Sequence, residues 1–204
     1  DAPHLIYVPE KPITPETVLE DVEKCVAEYG WASIVVGEGT MWEDGTPVSA
    51  ARGTDNFRNV EYGAMSGSSA ALNLHRLISS STGYRGEFQI PESMPMSAAD
   101  RRAPYDTQEA YACGVEAVRR AVRDESDVMI TIERVTAHPY TVWYGTAPLQ
   151  EVAVRARPMP DEMLANAFVT DAFLEYARPL VGELEDYIDL TSLPRISGPN
   201  KNGG

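Results

Sequence analysis

Two cysteines in 204 residues, Cys25 and Cys113, lack the paired spacing of a zinc site or a redox motif. Both fall in stretches with helical apolar periodicity, so packed, reduced thiols are expected. No apolar run approaches the roughly 18 residues of a membrane-spanning helix. The opening Asp1-Ala2-Pro3-His4 has neither the basic nor the apolar region of a secretory leader. These absences lead to the expectation of a cytoplasmic chain with no membrane partner. Positive charge is also scarce: 17 Lys and Arg stand against 31 Asp and Glu, a formal net charge of −14. A nucleic-acid backbone would bind against that field, so no nucleic-acid partner is expected. A small phosphorylated ligand is still compatible with it, because a few converging arginines hold a phosphate on an acidic protein. The three histidines, His4, His75 and His138, have no cysteine or carboxylate at metal-ligand spacing and read as structural or solvent-facing. What remains is an ordinary globular composition, 43% hydrophobic and 24% charged, with length enough for one domain and a sizeable core.

The pattern of elements is that of an α/β chain. Leu5 to Val8 is a short apolar run closed by Pro9-Glu10, as in a strand buried on both faces. Thr14-Pro15 then opens a helix with an apolar stripe at Val18, Leu19, Val22, Val26 and Tyr29, and Gly30 stops it. Trp31 to Val36 is the next strand, ending in Gly37-Glu38-Gly39 where a tight loop begins. Residues 40–67 read as a long surface loop with little regular structure, and Ser69 to about Ser80 as a helix followed by Gly83. Residues 84–90 alternate loosely enough for a strand, and 91–105 are too rich in Pro and Ser to be regular. Asp106-Thr107-Gln108-Glu109 predicts a capped helix running to about Arg123, with Tyr111, Val115, Val118 and Val122 on one face. Strands are expected over 127–135 and 140–144, and a terminal helix over 171–180. The order predicts a layered, Rossmann-like α/β domain with a largely parallel sheet over residues 1–196, and a disordered tail over 197–204.

Ligands of such sheets sit at the carboxyl ends of the strands, and Gly37-Glu38-Gly39 lies at one. Glycines let the backbone turn sharply there, and Glu38 can accept hydrogen bonds from sugar hydroxyls. The same residue also reads as a plain loop glutamate. A second candidate runs from Tyr84-Arg85 to Asp100-Arg101-Arg102, where three guanidinium forks can match phosphate oxygens. Alternatively, Glu92, Asp100 and Asp106 pair with them as a solvated network. The glycines and serines of 61–69 have neither the spacing nor the lysine of a Walker loop.

Taken in order, the motifs resemble the phosphofructokinase superfamily, particularly its diphosphate-dependent members. Pro3-His4-Leu5-Ile6-Tyr7-Val8-Pro9-Glu10 is similar to that family's "PHLIYLPE" strand, and Val35-Val36-Gly37-Glu38-Gly39 to its "VVSEG". The run from Asp106 to Val118 resembles "D..EAY..G..AV", and Ile132-Glu133-Arg134-Val135 with Pro139-Tyr140 resembles "ERV..NPY". The correspondence extends from about residue 3 to Val181.

The resemblance implies that Glu38 contacts the sugar of fructose 6-phosphate. It also implies an arginine for the 6-phosphate beside a "QR" motif. Here Gln89 is followed instead by Ile90-Pro91, so the role passes to Arg101 first, with Arg102 and Arg85 behind it. The family's donor-binding "GGDD"-type loop, its "TIDND" segment with the catalytic aspartate and its "MGR" motif precede the strand with which this chain starts. The expectation is therefore a carboxyl-terminal part of a 6-phosphofructokinase. Diphosphate or ATP, Mg2+ and the catalytic residues would then reside mainly on a missing amino-terminal half, and the assembly would be a homodimer or larger. The alternative is a non-catalytic sugar-phosphate-binding or regulatory subunit of the same fold.

Overall fold

The computed structural model of the chain describes residues 3–51, 53–54, 68–91, 94–152, 154, 157–182, 184, 188 and 193–194. The expected 197–204 tail lies outside them, as do residues 55–67 of the expected loop, with Gly63 and Gly67.

The first β–α–β unit forms as its residues dictate. Strand β1 (Leu5–Tyr7) pairs in parallel with β2 (Ile34–Val36), Leu5 opposite Ile34 and Tyr7 opposite Val36. Helix α1 (Pro15–Tyr29) connects them. Thr14 caps it, its hydroxyl accepting the Thr17 amide at 3.1 Å, and Gly30 ends it in the left-handed region at φ 83°. Such a cap contributes about 1 kcal/mol, and the positive φ is one that glycine adopts without a Cβ clash. Val18, Val22 and Cys25 face the core from this helix, while Tyr29 turns out to stack on His4, 4.6 Å between centroids. The apolar stripe is thus rotated slightly toward Cys25.

Helix α2 (Ala70–Thr82) begins at Ser69, whose hydroxyl accepts the Leu72 amide, and ends at Gly83. It packs against α1 and β2, and Leu74 and Ala70 complete a core with Leu5, Tyr7, Ile13, Val18, Val22 and Val48.

Beyond this unit the structure departs from the expected alternation. Residues 84–90 form no strand: they are exposed, and the Gly86 carbonyl accepts from His75 Nε2 at 3.0 Å instead of joining a ladder. Within 91–105, a short helix α3 (Met94–Ser97) and a 3-10 turn (Ala99–Arg101) interrupt the expected irregularity.

Helix α4 (Pro104–Val122) starts two residues before Asp106, and Ala103 at its cap position gives no side-chain cap. Pro104 supplies the first helical position, which needs no amide donor. Asp106 therefore falls in the first turn, where it meets the helix dipole and not the cap position. The expected apolar face of α4 is open to solvent at Tyr111, Val118 and Val122.

Strands β3 (Val128–Thr136) and β4 (Thr141–Pro148) pair with each other as an antiparallel hairpin, and β5 (Leu164–Ala165) with β6 (Phe168–Val169) as another. Among the described residues the parallel strand pairing is that of β1 with β2, with one isolated parallel bridge between Ile13 and Trp42. The turn between β5 and β6 reaches the first unit, the Ala167 carbonyl accepting the Ile6 amide at 2.8 Å. Helix α5 (Asp171–Val181) follows. Both cysteines are free, Cys25 buried and Cys113 half-buried. Among the described residues no helix is long and apolar enough to cross a membrane.

Candidate functional site

Because β1 and β2 are parallel, their carboxyl ends open on the same edge of the layer. The Gly37 amide donates to the Tyr7 carbonyl at 2.9 Å, extending the pairing by one residue into the loop. A Cβ on Gly37 would stand 3.0 Å from Pro9 Cδ, tighter than an ordinary contact, so a side chain here would have to push Pro9 back by a few tenths of an ångström. Thr40, fully buried, folds back beneath this turn and donates its hydroxyl to the Tyr7 carbonyl at 3.4 Å. Val48 and Ser49 are buried as well. Part of the expected surface loop is therefore interior, at Thr40, Val48, Ser49 and Ala51, while Glu43 to Thr46 stay exposed: Val48 completes the core, and Thr40 and Ser49 find backbone partners.

Glu38 projects from this edge, half-buried, and its Oε1 accepts the Ala70 amide at 3.2 Å. It thus sits at the amino end of α2, where free amides and the helix dipole both favour a carboxylate. The same helix start is tied to the loop by Asn73, whose Nδ2 donates to the Val48 carbonyl at 2.8 Å. On the neighbouring loop, Glu10 Oε1 accepts the Met159 amide at 3.0 Å. Sequence reasoning placed Glu38 at the strand end but missed its contact with α2, because a partner 32 residues away in sequence leaves no periodic trace. Ser69, expected as the first residue of this helix, is its cap.

The arginines occupy other elements. Arg85 is exposed in the segment after α2 and lines a groove of about 680 Å³ together with Trp31, Ile34, Leu74, His75 and Ile78. Glu38 and Arg102 do not line that groove. Arg102 is exposed, its Nε donating to the Ala99 carbonyl at 3.2 Å. Arg101 ends the 3-10 turn, and its side chain lies outside the described residues. Among the described contacts none joins one of these four residues to another.

Two of the three histidines bond the backbone. Nδ1 of His4 accepts the Ser33 amide at 3.0 Å, His75 bonds Gly86, and His138 is exposed in the β3–β4 turn. Among the described residues no group of three or more His, Cys, Asp or Glu side chains is arranged to hold a metal ion.

A parallel βαβ unit with an acidic loop at its carboxyl edge, followed by a helical segment and a hairpin, defines an α/β protein. The likeness extends to particular proteins. The chain is 30% identical over 200 residues to a pyrophosphate–fructose 6-phosphate 1-phosphotransferase of Halomonas elongata, covering 97% of this chain and 46% of that protein. It is 33% identical over 185 residues to the protein of the same name from Methylococcus capsulatus, covering 90% and 43%. The crystal structure of a pyrophosphate-dependent phosphofructokinase from Marinobacter aquaeolei superposes with a TM-score of 0.72 at 28% identity, covering 96% of this chain and 45% of that one. No protein-family profile matches. The chain resembles the diphosphate-dependent phosphofructokinases, and the match is to their carboxyl-terminal part. It spans less than half the length of the relatives it matches.

Proposed function

We propose that residues 1–196 form the fructose 6-phosphate-binding part of a diphosphate-dependent 6-phosphofructokinase. The observation that carries this reading is the similarity along nearly the whole chain to proteins named for that reaction, with Glu38 at the carboxyl edge of the parallel pair. A carboxylate has acceptor sites beyond the one taken by the Ala70 amide, so Glu38 can also receive sugar hydroxyls. Arg101 holds the 6-phosphate, with Arg102 and Arg85 as the further guanidinium groups. Charge-assisted, bidentate bonds suit phosphate and tolerate the acidic surroundings. The donor, diphosphate or ATP with Mg2+, and the catalytic aspartate belong to the part of the relatives' length that this chain does not span. The chain's own contribution is to hold the sugar so that its 1-hydroxyl faces the donor, which is the positioning half of phosphoryl transfer. The working assembly is a cytoplasmic homodimer or larger, and this chain alone transfers no phosphate.

A second reading, a sugar-phosphate-binding regulatory subunit, is favoured by one feature: Gln89 is followed by Ile90-Pro91 where the family has arginine. Titration of the full-length protein with fructose 6-phosphate tests the first reading. Arg101→Ala is expected to weaken binding by about 1.5–3 kcal/mol, the scale of a hydrogen bond to a charged group. Normal binding in the Glu38, Arg85, Arg101 and Arg102 variants alike overturns the site. Binding without turnover of either donor selects the regulatory reading.

A further inference from the structure

The amino end of α4 follows directly on Arg101 and Arg102, yet it lacks a side-chain cap. It is held from outside the helix. Tyr105, in the first turn, meets the ring of Tyr140 edge-on at 4.9 Å, and one turn later Glu109 accepts the Tyr140 hydroxyl at 2.6 Å. Tyr105 and Glu109 are four residues apart, so both face the same side of the helix. Tyr140 stands in the turn between β3 and β4, and it is held in turn by Arg134. That guanidinium lies over the Tyr140 ring at 5.1 Å and over the Tyr176 ring at 4.5 Å, and its Nη2 donates to the Tyr176 carbonyl at 2.9 Å. A hydroxyl–carboxylate bond and a cation between two rings thus join α4, the hairpin corner and α5.

We propose that Tyr140 and Arg134 are positioning residues for sugar-phosphate binding: by fixing the first turn of α4 they set where Arg101 and Arg102 stand. This rests on the assignment of those arginines to the 6-phosphate. Neither Tyr140 nor Arg134 need touch the ligand. A helix start with a side-chain cap carries its own local anchor, whereas this one depends on a contact 31 residues away, between Tyr140 and Glu109. Loss of the Tyr140 hydroxyl leaves the ring stacking in place while releasing Glu109, so the arginine segment shifts without the fold being lost.

The test is steady-state kinetics of the full-length protein with fructose 6-phosphate and diphosphate varied separately. Tyr140→Phe is expected to raise KM for fructose 6-phosphate about 10-fold, near the scale of one hydrogen bond to a charged group. Its kcat and its KM for diphosphate should stay at wild-type values. Glu109→Gln, which keeps an acceptor oxygen, should restore most of the affinity that Glu109→Ala loses. Arg101→Ala and Arg102→Ala run alongside. If they raise KM while Tyr140→Phe does not, the positioning role is overturned and the phosphate site survives; if neither arginine matters, the site assignment fails and the positioning role with it. Should Tyr140→Phe not fold, Arg134→Lys, which keeps the charge but not the planar stack, decides by the same KM-against-kcat split.

Discussion

Residues 3–83 and residues 104–182 hold themselves together differently. In the first region, strands, helices and loop all send side chains into one buried cluster running from Leu5 to Leu74, and both helices carry a side-chain cap at one end and a left-handed glycine at the other. In the second, neither α4 nor α5 buries a residue, and Tyr111, Val118, Val122, Val135 and Trp143 are exposed. Its elements are joined by strand pairing and by the Tyr140–Arg134 contacts, while Arg120 pairs locally, with Glu116 within α4 and with Glu125 just beyond its end. Non-directional burial tolerates small shifts, whereas hydrogen bonds and ring contacts demand geometry. The first region is thus the platform, and the second is placed on it by a few directional links.

The largest expected difference lies in the core. Leu74→Ala should cost about 2–5 kcal/mol in denaturant unfolding, while Val122→Ala, on the open face of α4, should stay within about 0.5 kcal/mol. Equal losses would mean that the α4 face is covered in solution and would break the contrast.

The helix starts come next. Thr14→Ala should destabilise by about 1 kcal/mol. Asp106→Ala, which removes a first-turn charge and no cap, should cost roughly 0.3–1 kcal/mol and lose most of that in high salt. An Asp106 effect as large as that of Thr14 and insensitive to salt would restore the capping role expected from sequence.

Glu38→Gln keeps an oxygen for the Ala70 amide and removes only the charge facing the α2 dipole, so the melt should register roughly 0.3–1 kcal/mol or less. Fructose 6-phosphate affinity should fall in the same variant. A large loss of stability with normal affinity would make Glu38 part of the platform alone.

The smallest effect is alkaline. Each region has a tyrosine bonded to a carboxylate, Tyr7 to Asp21 and Tyr140 to Glu109, and each phenol is raised above its ordinary value. Burial is the main cause in both, with the neighbouring carboxylate adding to it, and Tyr140 is pushed up to about 12. A raised phenol favours the protonated folded state. Its contribution is complete below about pH 10, the unfolded value, and is lost as pH climbs toward 12. Urea unfolding of Tyr140→Phe against wild type across that window should show the difference between the two proteins shrinking as pH rises. A constant difference would show that the hydroxyl proton is not what links Tyr140 to Glu109.

Much of the first region was legible in sequence because its signals are local. Thr14-Pro15 and Gly30 mark a helix within a few residues of themselves, Ser69 and Gly83 mark another, and Glu38 was placed at a strand end by the glycines beside it. The likeness to diphosphate-dependent phosphofructokinases was legible for the same reason, since it rests on short motifs in order. Tertiary structure decided the rest. Residues 84–90 have the loose alternation of a strand, but a strand exists only with a partner, and here Gly86 bonds His75 instead. The stripe on α4 has the period of a buried face, yet periodicity states which residues share a face and not what lies opposite. The contacts of Glu38 with Ala70 and of Tyr140 with Glu109 join residues about thirty apart, and only the folded chain brings them within hydrogen-bond reach.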